Sequence, residues 1–236
     1  LLAAFPWYDL PSVRWANDVL WRATGLPGEL SRRVEPVQQW HCESLCVSQA
    51  CGLDLFLTSA PIEPVLVPIF DLDCPPGTYF SYLVGSDSSG VAAVNSLSSR
   101  SGFTALLTMC APRAIVVTGS HTQSLSALRS GVASVASIDA VVWHILARDY
   151  PKLISGFEVI GRSQAATAPP YVMRRGGSQA ELLAGLRQAH ADPMTESARQ
   201  ALLVKGVRSV SSHDYLEVWA EYERTRYRQP PIVPAS

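Results

Sequence analysis

Short runs of apolar residues, many of them β-branched, alternate along this chain with stretches in which apolar positions recur every three or four residues. The runs Leu1–Phe5, Leu45–Ser48, Val65–Phe70, Ala92–Asn95, Ile115–Thr118, Val135–Ile138, Phe157–Gly161 and Tyr171–Arg174 predict strands. Several are continuously apolar, as strands covered on both faces should be. Pro11 opens a helix with Val13, Ala16, Val19 and Leu20 on one face. Ser99 or Ser101 caps another whose buried stripe is Phe103, Leu106, Leu107 and Cys110. Further helices are predicted over Thr122–Arg129, Ala140–Arg148, around Leu182, Leu183 and Leu186, and after Ser211-Ser212-His213-Asp214. The proline-rich tail Gln229–Ser236 is expected to be extended and poorly ordered. Strands alternating with helices predict an α/β layer architecture.

Composition narrows the choice of function. A chain of 236 residues suits one large α/β domain or two lobes. With 47% apolar residues it can bury a substantial core. The net charge of −1 and the lack of a basic stripe argue against nucleic acid and acidic membrane as partners. No apolar stretch reaches the roughly 18 residues of a membrane helix. The opening Leu1-Leu2-Ala3-Ala4-Phe5 lacks a basic flank and a small-residue cleavage site. It reads as a buried strand, with any export signal expected upstream of this chain.

The cysteines at positions 42, 46, 51, 74 and 110 form no paired ligand set, so no metal is expected. Cys51 and Cys74 sit in loops and can join in an exported protein. All five equally suit small, reduced, buried hydrophobes. Spacing alone leaves both open.

Three segments share one layout, a buried strand that ends in small polar residues where a helix begins: Val47–Gly52 with Gln49, Val94–Gly102 with Ser99 and Ser101, and Val117–Thr122 with His121. In open α/β sheets ligands sit beyond the carboxyl ends of strands, and helix starts present N–H groups to anions. Arg100 gains nothing from the dipole of a helix that it opens, which points either to an anion close by or to a solvated side chain. Asp139 ends a fourth strand, either as a ligand group or as a helix cap. Ser101, His121 and Asp139 could be imagined as a triad, but there is no G-x-S-x-G elbow and their order is not that of hydrolases with this layering. Tyr8 follows the first strand and Tyr79 belongs to an aromatic cluster, and each suits either a ligand wall or the core.

These pieces occur in a familiar order: Pro6-Trp7-Tyr8-Asp9-Leu10-Pro11, Leu45–Gly52, Cys74 with Tyr79-Phe80-Ser81, Ala93–Ser96 with Ser99–Gly102, Val117–His121 and Ser137–Trp143. Together they resemble the substrate-binding components of phosphate, phosphite and phosphonate ABC importers, which have the type 2 periplasmic-binding fold. The resemblance implies an α/β protein of two lobes, each a central mixed sheet flanked by helices, joined by two crossing strands and closing on a ligand. Residues 1–83 and 164–236 would form one lobe and 84–163 the other. It implies ligand contacts at Tyr8, Gln49, Tyr79, Ser99, Arg100, Ser101, His121 and Asp139, and a disulfide between Cys51 and Cys74. It further implies a periplasmic or otherwise extracytoplasmic monomer that carries a small anionic or zwitterionic ligand to a membrane permease, with no cofactor and no chemistry on the ligand. A ligand-sensing domain, or an enzyme using His121 as general base, are the competing readings. The stretches Gly85–Val91 and Ala111–Ala114 are short for that family, and a charge at position 100 departs from its pattern.

Overall fold

The computed structural model describes residues 1–177 and 180–234. Its strands are β1 (Leu2–Ala3), β2 (Leu45–Gln49), β3 (Ile62–Phe70), β4 (Thr78–Tyr79), β5 (Ser81–Gly85), β6 (Val91–Val94), β7 (Ala114–Val117), β8 (Val135–Asp139), β9 (Val159–Arg162), β10 (Ala166–Thr167), β11 (Tyr171–Arg174), β12 (Val204–Ser209) and β13 (Ile232–Val233). The chain divides into two compact units. Unit 1 is Leu1–Thr78 with Thr167–Leu216, and unit 2 is Tyr79–Ala166 with Glu217–Ser236.

Unit 1 is built on a sheet of order β1-β2-β11-β3-β12, in which β1 and β2 run parallel and the other pairs antiparallel. Alternation along β11 explains why Tyr171, Val172 and Met173 are all buried. Tyr171 and Met173 join a cluster with Phe5, Trp21, Val47, Leu66, Leu182 and Leu186, while Val172 joins Trp40, Leu45 and Ile62 in another. The helix Arg14–Ala23 buries Ala16, Leu20 and Trp21, one stripe at helical spacing. The rings of Trp21 and Phe5 meet edge to face at 6.1 Å. Strand β12 escapes the hydrophobic pattern because it lies at the end of the sheet and carries Lys205 and Arg208.

Unit 2 has the order β13-β7-β6-β8-β5-β9. Strands β13, β7, β6 and β8 are mutually parallel, β5 pairs antiparallel with β8, and β9 pairs antiparallel with β5. Leu83, Ala92, Val94, Phe103, Leu106, Leu107, Ile115 and Val135 form its core cluster. Full burial of a side chain such as Leu106 contributes about 1.5–3 kcal/mol.

The segment from Glu217 onward belongs to unit 2, whereas the family resemblance implies that 164–236 as a whole joins the first lobe. Two contacts account for the difference. Tyr222 packs against the unit 2 core, and β13 extends the sheet beyond β7, with Ile232 opposite Ile115 and Val233 opposite Val116. The tail expected to be extended and poorly ordered is extended at 232–233, where it forms a strand, and positions 235 and 236 lie outside the described residues. The chain passes between units three times, at Thr78/Tyr79, Ala166/Thr167 and Leu216/Glu217, the last at the start of the helix Leu216–Thr225. Strands β4 and β10, at the first two passages, pair as a separate two-stranded sheet. Among the described residues no helix is long and apolar enough to cross a membrane.

Gly85 closes β5 at φ 133°, a conformation that side chains rarely adopt, and a Cβ there would overlap the Ser134 carbonyl oxygen. Gly85→Ala should therefore cost about 3 kcal/mol, read as a lowered denaturation midpoint at unchanged slope. A variant within about 0.5 kcal/mol of the parent would contradict this account of the β5 terminus.

Candidate functional site

In unit 2 the parallel pairing of β7, β6 and β8 delivers three strand ends to one edge of the sheet. The corners after β6 and β7 are tied directly, since the N–H groups of Thr118 and Gly119 donate to the carbonyls of Val94 and Asn95 at 2.8 and 3.0 Å.

After β6, Ser99 caps the next helix. Its backbone is extended, its hydroxyl accepts the Gly102 N–H at 3.0 Å, and its carbonyl accepts the N–H groups of Phe103 and Thr104. The helix starts as one π-helical turn, Arg100–Thr104, and continues as α-helix over Ala105–Met109. Such turns recur at functional sites. Gly102 is required there, because a Cβ would overlap Asn95 Oδ1 and press on Ser99 Oγ. The hydroxyls of Ser99 and Ser101 lie 3.3 Å apart, both buried.

After β7, Gly119 turns the chain at φ 93°, and Ser120 caps the helix His121–Arg129 by accepting the Gln123 N–H at 3.1 Å. His121 is thereby the first helical residue, and its Nε2 lies 3.2 Å from Ser101 Oγ. The Ser137 hydroxyl on β8 donates to the Ser101 carbonyl at 2.6 Å, which fixes the third strand against the turn. Burial pushes the His121 imidazole down to about 4, with the Ser137 backbone opposing. The ring is neutral at neutral pH. Asp139, also buried, caps the helix Ala140–Asp149 through Oδ1, which accepts the N–H groups of Val141 and Val142 at 2.8 and 3.3 Å.

Arg100 is 1% exposed, and its guanidinium has protein partners. Nε and Nη2 grip the two carboxylate oxygens of Glu221 at 2.9 and 3.1 Å, and Nη2 also donates to the Gln164 carbonyl at 2.9 Å. Its Cζ is 5.6 Å from the centre of the Tyr79 ring. The anion that a cation at this position calls for is thus supplied by the protein itself.

In unit 1 the parallel strands β1 and β2 send Tyr8 and Gln49 to a common edge. Tyr8 is held at φ 61°, left-handed for a non-glycine residue, and is buried with its ring edge-on to Phe70 at 5.2 Å. Its neighbours are pinned. The Trp7 N–H donates to Gln49 Oε1 at 3.0 Å, and Asp9 accepts from Asn17 Nδ2 at 2.9 Å and Arg32 Nε at 2.7 Å. The Gln49 carbonyl accepts the Trp40 indole N–H at 3.1 Å. The segment after β2 leads into a helix of only four residues, Asp54–Leu57.

The eight sequence-predicted residues therefore divide, with Tyr8 and Gln49 in unit 1 and Tyr79, Ser99, Arg100, Ser101, His121 and Asp139 in unit 2. Direct hydrogen bonds join Ser99, Ser101 and His121. Ser137, Gln164 and Glu221 escape the sequence pattern. No local signal marks them, and Glu221 lies 121 positions from its partner.

The disulfide expected between Cys51 and Cys74 is not formed, and among the described residues the cysteines are thiols. Cys74 Sγ is set against the Thr78 carbonyl of its own turn at 3.4 Å, while Cys51 is buried in a turn closed by its N–H to Asp54 Oδ2. Among the described residues no three His, Cys, Asp or Glu side chains group to hold a metal ion.

Because the folded pKa of His121 lies below its ordinary value of 6.5, its stabilising contribution is complete above pH 6.5 and is lost as pH falls through about 4. Buried His190, which pairs with the Tyr171 hydroxyl at 3.1 Å, is likewise pushed down to about 4 and adds to the same acid limb. The His121 ring proton resonance should stay flat from neutral pH until it moves near pH 4, and His121→Asn should flatten the acid loss of stability. A midpoint near 6.5 would contradict the burial.

A family profile described as the periplasmic substrate-binding protein of ABC phosphonate transporters matches residues 79–215. No curated protein matches the chain in sequence. Among solved structures, a binding-protein component of an ABC phosphonate transporter from Pseudomonas aeruginosa aligns with a TM-score of 0.77 at 14% identity, over 96% of this chain and 87% of that one. PhnD1 from Prochlorococcus marinus, in complex with methylphosphonate, aligns with a TM-score of 0.71 at 12% identity, over 95% and 98%. A Xanthomonas citri protein bound to chloride ion aligns at 0.66 and 15% identity, over 96% and 98%. The fold is that of the type 2 periplasmic-binding proteins, α/β with mixed sheets flanked by helices.

Proposed function

We propose that this chain, which belongs to the family of periplasmic substrate-binding proteins of ABC phosphonate transporters, binds a small oxyanion through Ser99, Ser101 and His121 of unit 2. It acts outside the cytoplasm as a monomer and releases the ligand, chemically unchanged, to a membrane permease.

The observation that carries this reading is the meeting of the Ser101 hydroxyl with the neutral His121 ring, 3.2 Å apart at two adjacent helix starts. The first amides of a helix have no acceptor within it. Ser99 takes up those of Gly102, Phe103 and Thr104, and the amide of Ser101 comes before them in the same turn. Hydroxyls, amides and an imidazole N–H together form a set of neutral donors suited to oxygens of a phosphonate. Asp139 ends the neighbouring strand, where a carboxylate accepts a proton from a protonated oxygen or an amine of the ligand. Tyr79 supplies an aromatic wall.

A protein of this fold holds methylphosphonate, which makes that compound the first ligand to try. Calorimetry with methylphosphonate, 2-aminoethylphosphonate, phosphite and phosphate should show one-to-one binding of at least one. Ser101→Ala should weaken it about tenfold or more, since a hydrogen bond to a charged group contributes about 1.5–3 kcal/mol. Absence of heat from all four, with no ligand-dependent rise in melting temperature, would overturn the reading.

A further inference from the structure

We propose that Arg100 and Glu221 are positioning residues that couple the Ser99–Ser101 turn to the three points at which the chain passes between its units. The inference rests on the reading of Ser99 and Ser101 as ligand groups, and it gives Arg100 a role other than contact with the ligand.

Three partners of the Arg100 guanidinium share one property. Tyr79 is the first residue of unit 2 after the first passage. Gln164 lies two residues before the second passage, at Ala166/Thr167. Glu221 lies on the helix Leu216–Thr225, which begins at the third passage. One side chain therefore meets, inside unit 2, the end of every connection to unit 1. The same residue opens the π-helical turn and stands between the two serines whose hydroxyls lie 3.3 Å apart.

The chemistry of the pair suits a rigid link. A planar guanidinium held by both oxygens of a carboxylate has one geometry, where a lysine would swivel about a point charge. At 1% and 12% side-chain exposure, neither partner can exchange the other for water without leaving a buried charge unmatched. A shift of the turn on ligand binding must therefore move Glu221, Gln164 and Tyr79 with it, and a shift in the connections must move the turn. Neither partner is replaceable from nearby in sequence, since Glu221 is 121 positions away and Gln164 is 64.

Hydrogen exchange on the full chain, with Glu221→Gln, Arg100→Lys and Ser101→Ala beside the parent, tests the coupling. Glu221→Gln should speed exchange by about tenfold both at the amides of Gly102, Phe103 and Thr104 and at residues 79–82 and 163–167, leaving β6 and β7 as protected as before. Arg100→Lys should do the same and serves if Glu221→Gln fails to fold, while Glu221→Asp should restore most of the protection. Faster exchange confined to 216–225, or uniform through unit 2, would overturn the proposal by showing a merely structural ion pair. Ser101→Ala should leave exchange at the connections unchanged while weakening methylphosphonate binding. Should the parent bind none of the phosphonates yet show the coupled pattern, the ligand reading fails and the link stands. Should the parent bind and Ser101→Ala weaken it, with exchange staying local in both ion-pair variants, the link fails and the ligand reading stands.

Discussion

Parallel strands cannot be joined by a tight turn, and in unit 2 that constraint decides where everything else goes. After β6, β7 and β8 the chain must cross to the other end of the sheet before it can pair again. Each strand is followed by a helix, and the start of that helix falls at the carboxyl edge of the sheet. Three adjacent parallel strands thus bring three helix starts side by side without any requirement on the ligand. What the sequence adds is the residue at each start. Ser99, Ser120 and Asp139 spend their side chains on capping, and Ser101 and His121, next to two of those caps, face each other across 3.2 Å. Capping uses the Ser99 hydroxyl as acceptor and Asp139 through Oδ1, so both keep hydrogen-bonding capacity beside Ser101 and His121.

Burial of charge is the second constraint, and it acts over a longer range. A guanidinium removed from water needs a counter-charge at hydrogen-bond distance. Arg100 finds it in Glu221, from a helix at the far end of the chain. That requirement, together with the seat of Tyr222 in the unit 2 core and the pairing of β13 with β7, explains why the C-terminal segment returns to unit 2. The strained Tyr8 shows the same logic in unit 1. A left-handed tyrosine persists because Gln49 holds Trp7 on one side, and Asn17 and Arg32 hold Asp9 on the other.

Much of this was legible in the sequence because it depends on short-range pattern. Continuous apolar runs such as Ile115–Thr118 and Val135–Ile138 mark strands covered on both faces, and Ser99, Gly102, Gly119 and Asp139 are residues whose backbone preferences announce a turn or a cap. The layered α/β architecture follows from those alone. What stayed hidden is whatever depends on partners distant in sequence. Strand β12, with Lys205 and Arg208, looks polar because it is an edge. The fate of 217–236 turns on Tyr222 and Ile232, which look no different from other scattered apolar residues. The Cys51–Cys74 pairing came from family resemblance, and the turn around Cys74 sets its thiol against the Thr78 carbonyl. Arg100 shows both sides of this. Its position calls for an anion nearby, and no local rule reveals that the anion is Glu221.

The charge balance that results bears on how the proposed site would choose among ligands. Around the Ser99–Ser101 turn, Arg100 is matched by Glu221, His121 is neutral, and Asp139 is engaged as a cap. An incoming anion at the serines thus meets dipoles, namely hydroxyls, amides and a helix start, in place of an unmatched cation. The attraction of a charge to a dipole dies away faster with distance than its attraction to another charge, so an oxygen must reach hydrogen-bond range before it gains much. Selection then falls on shape and on the protonation state of each oxygen more than on total charge. It follows as well that binding at these donors draws little on long-range steering, the component of recognition that salt screens most strongly.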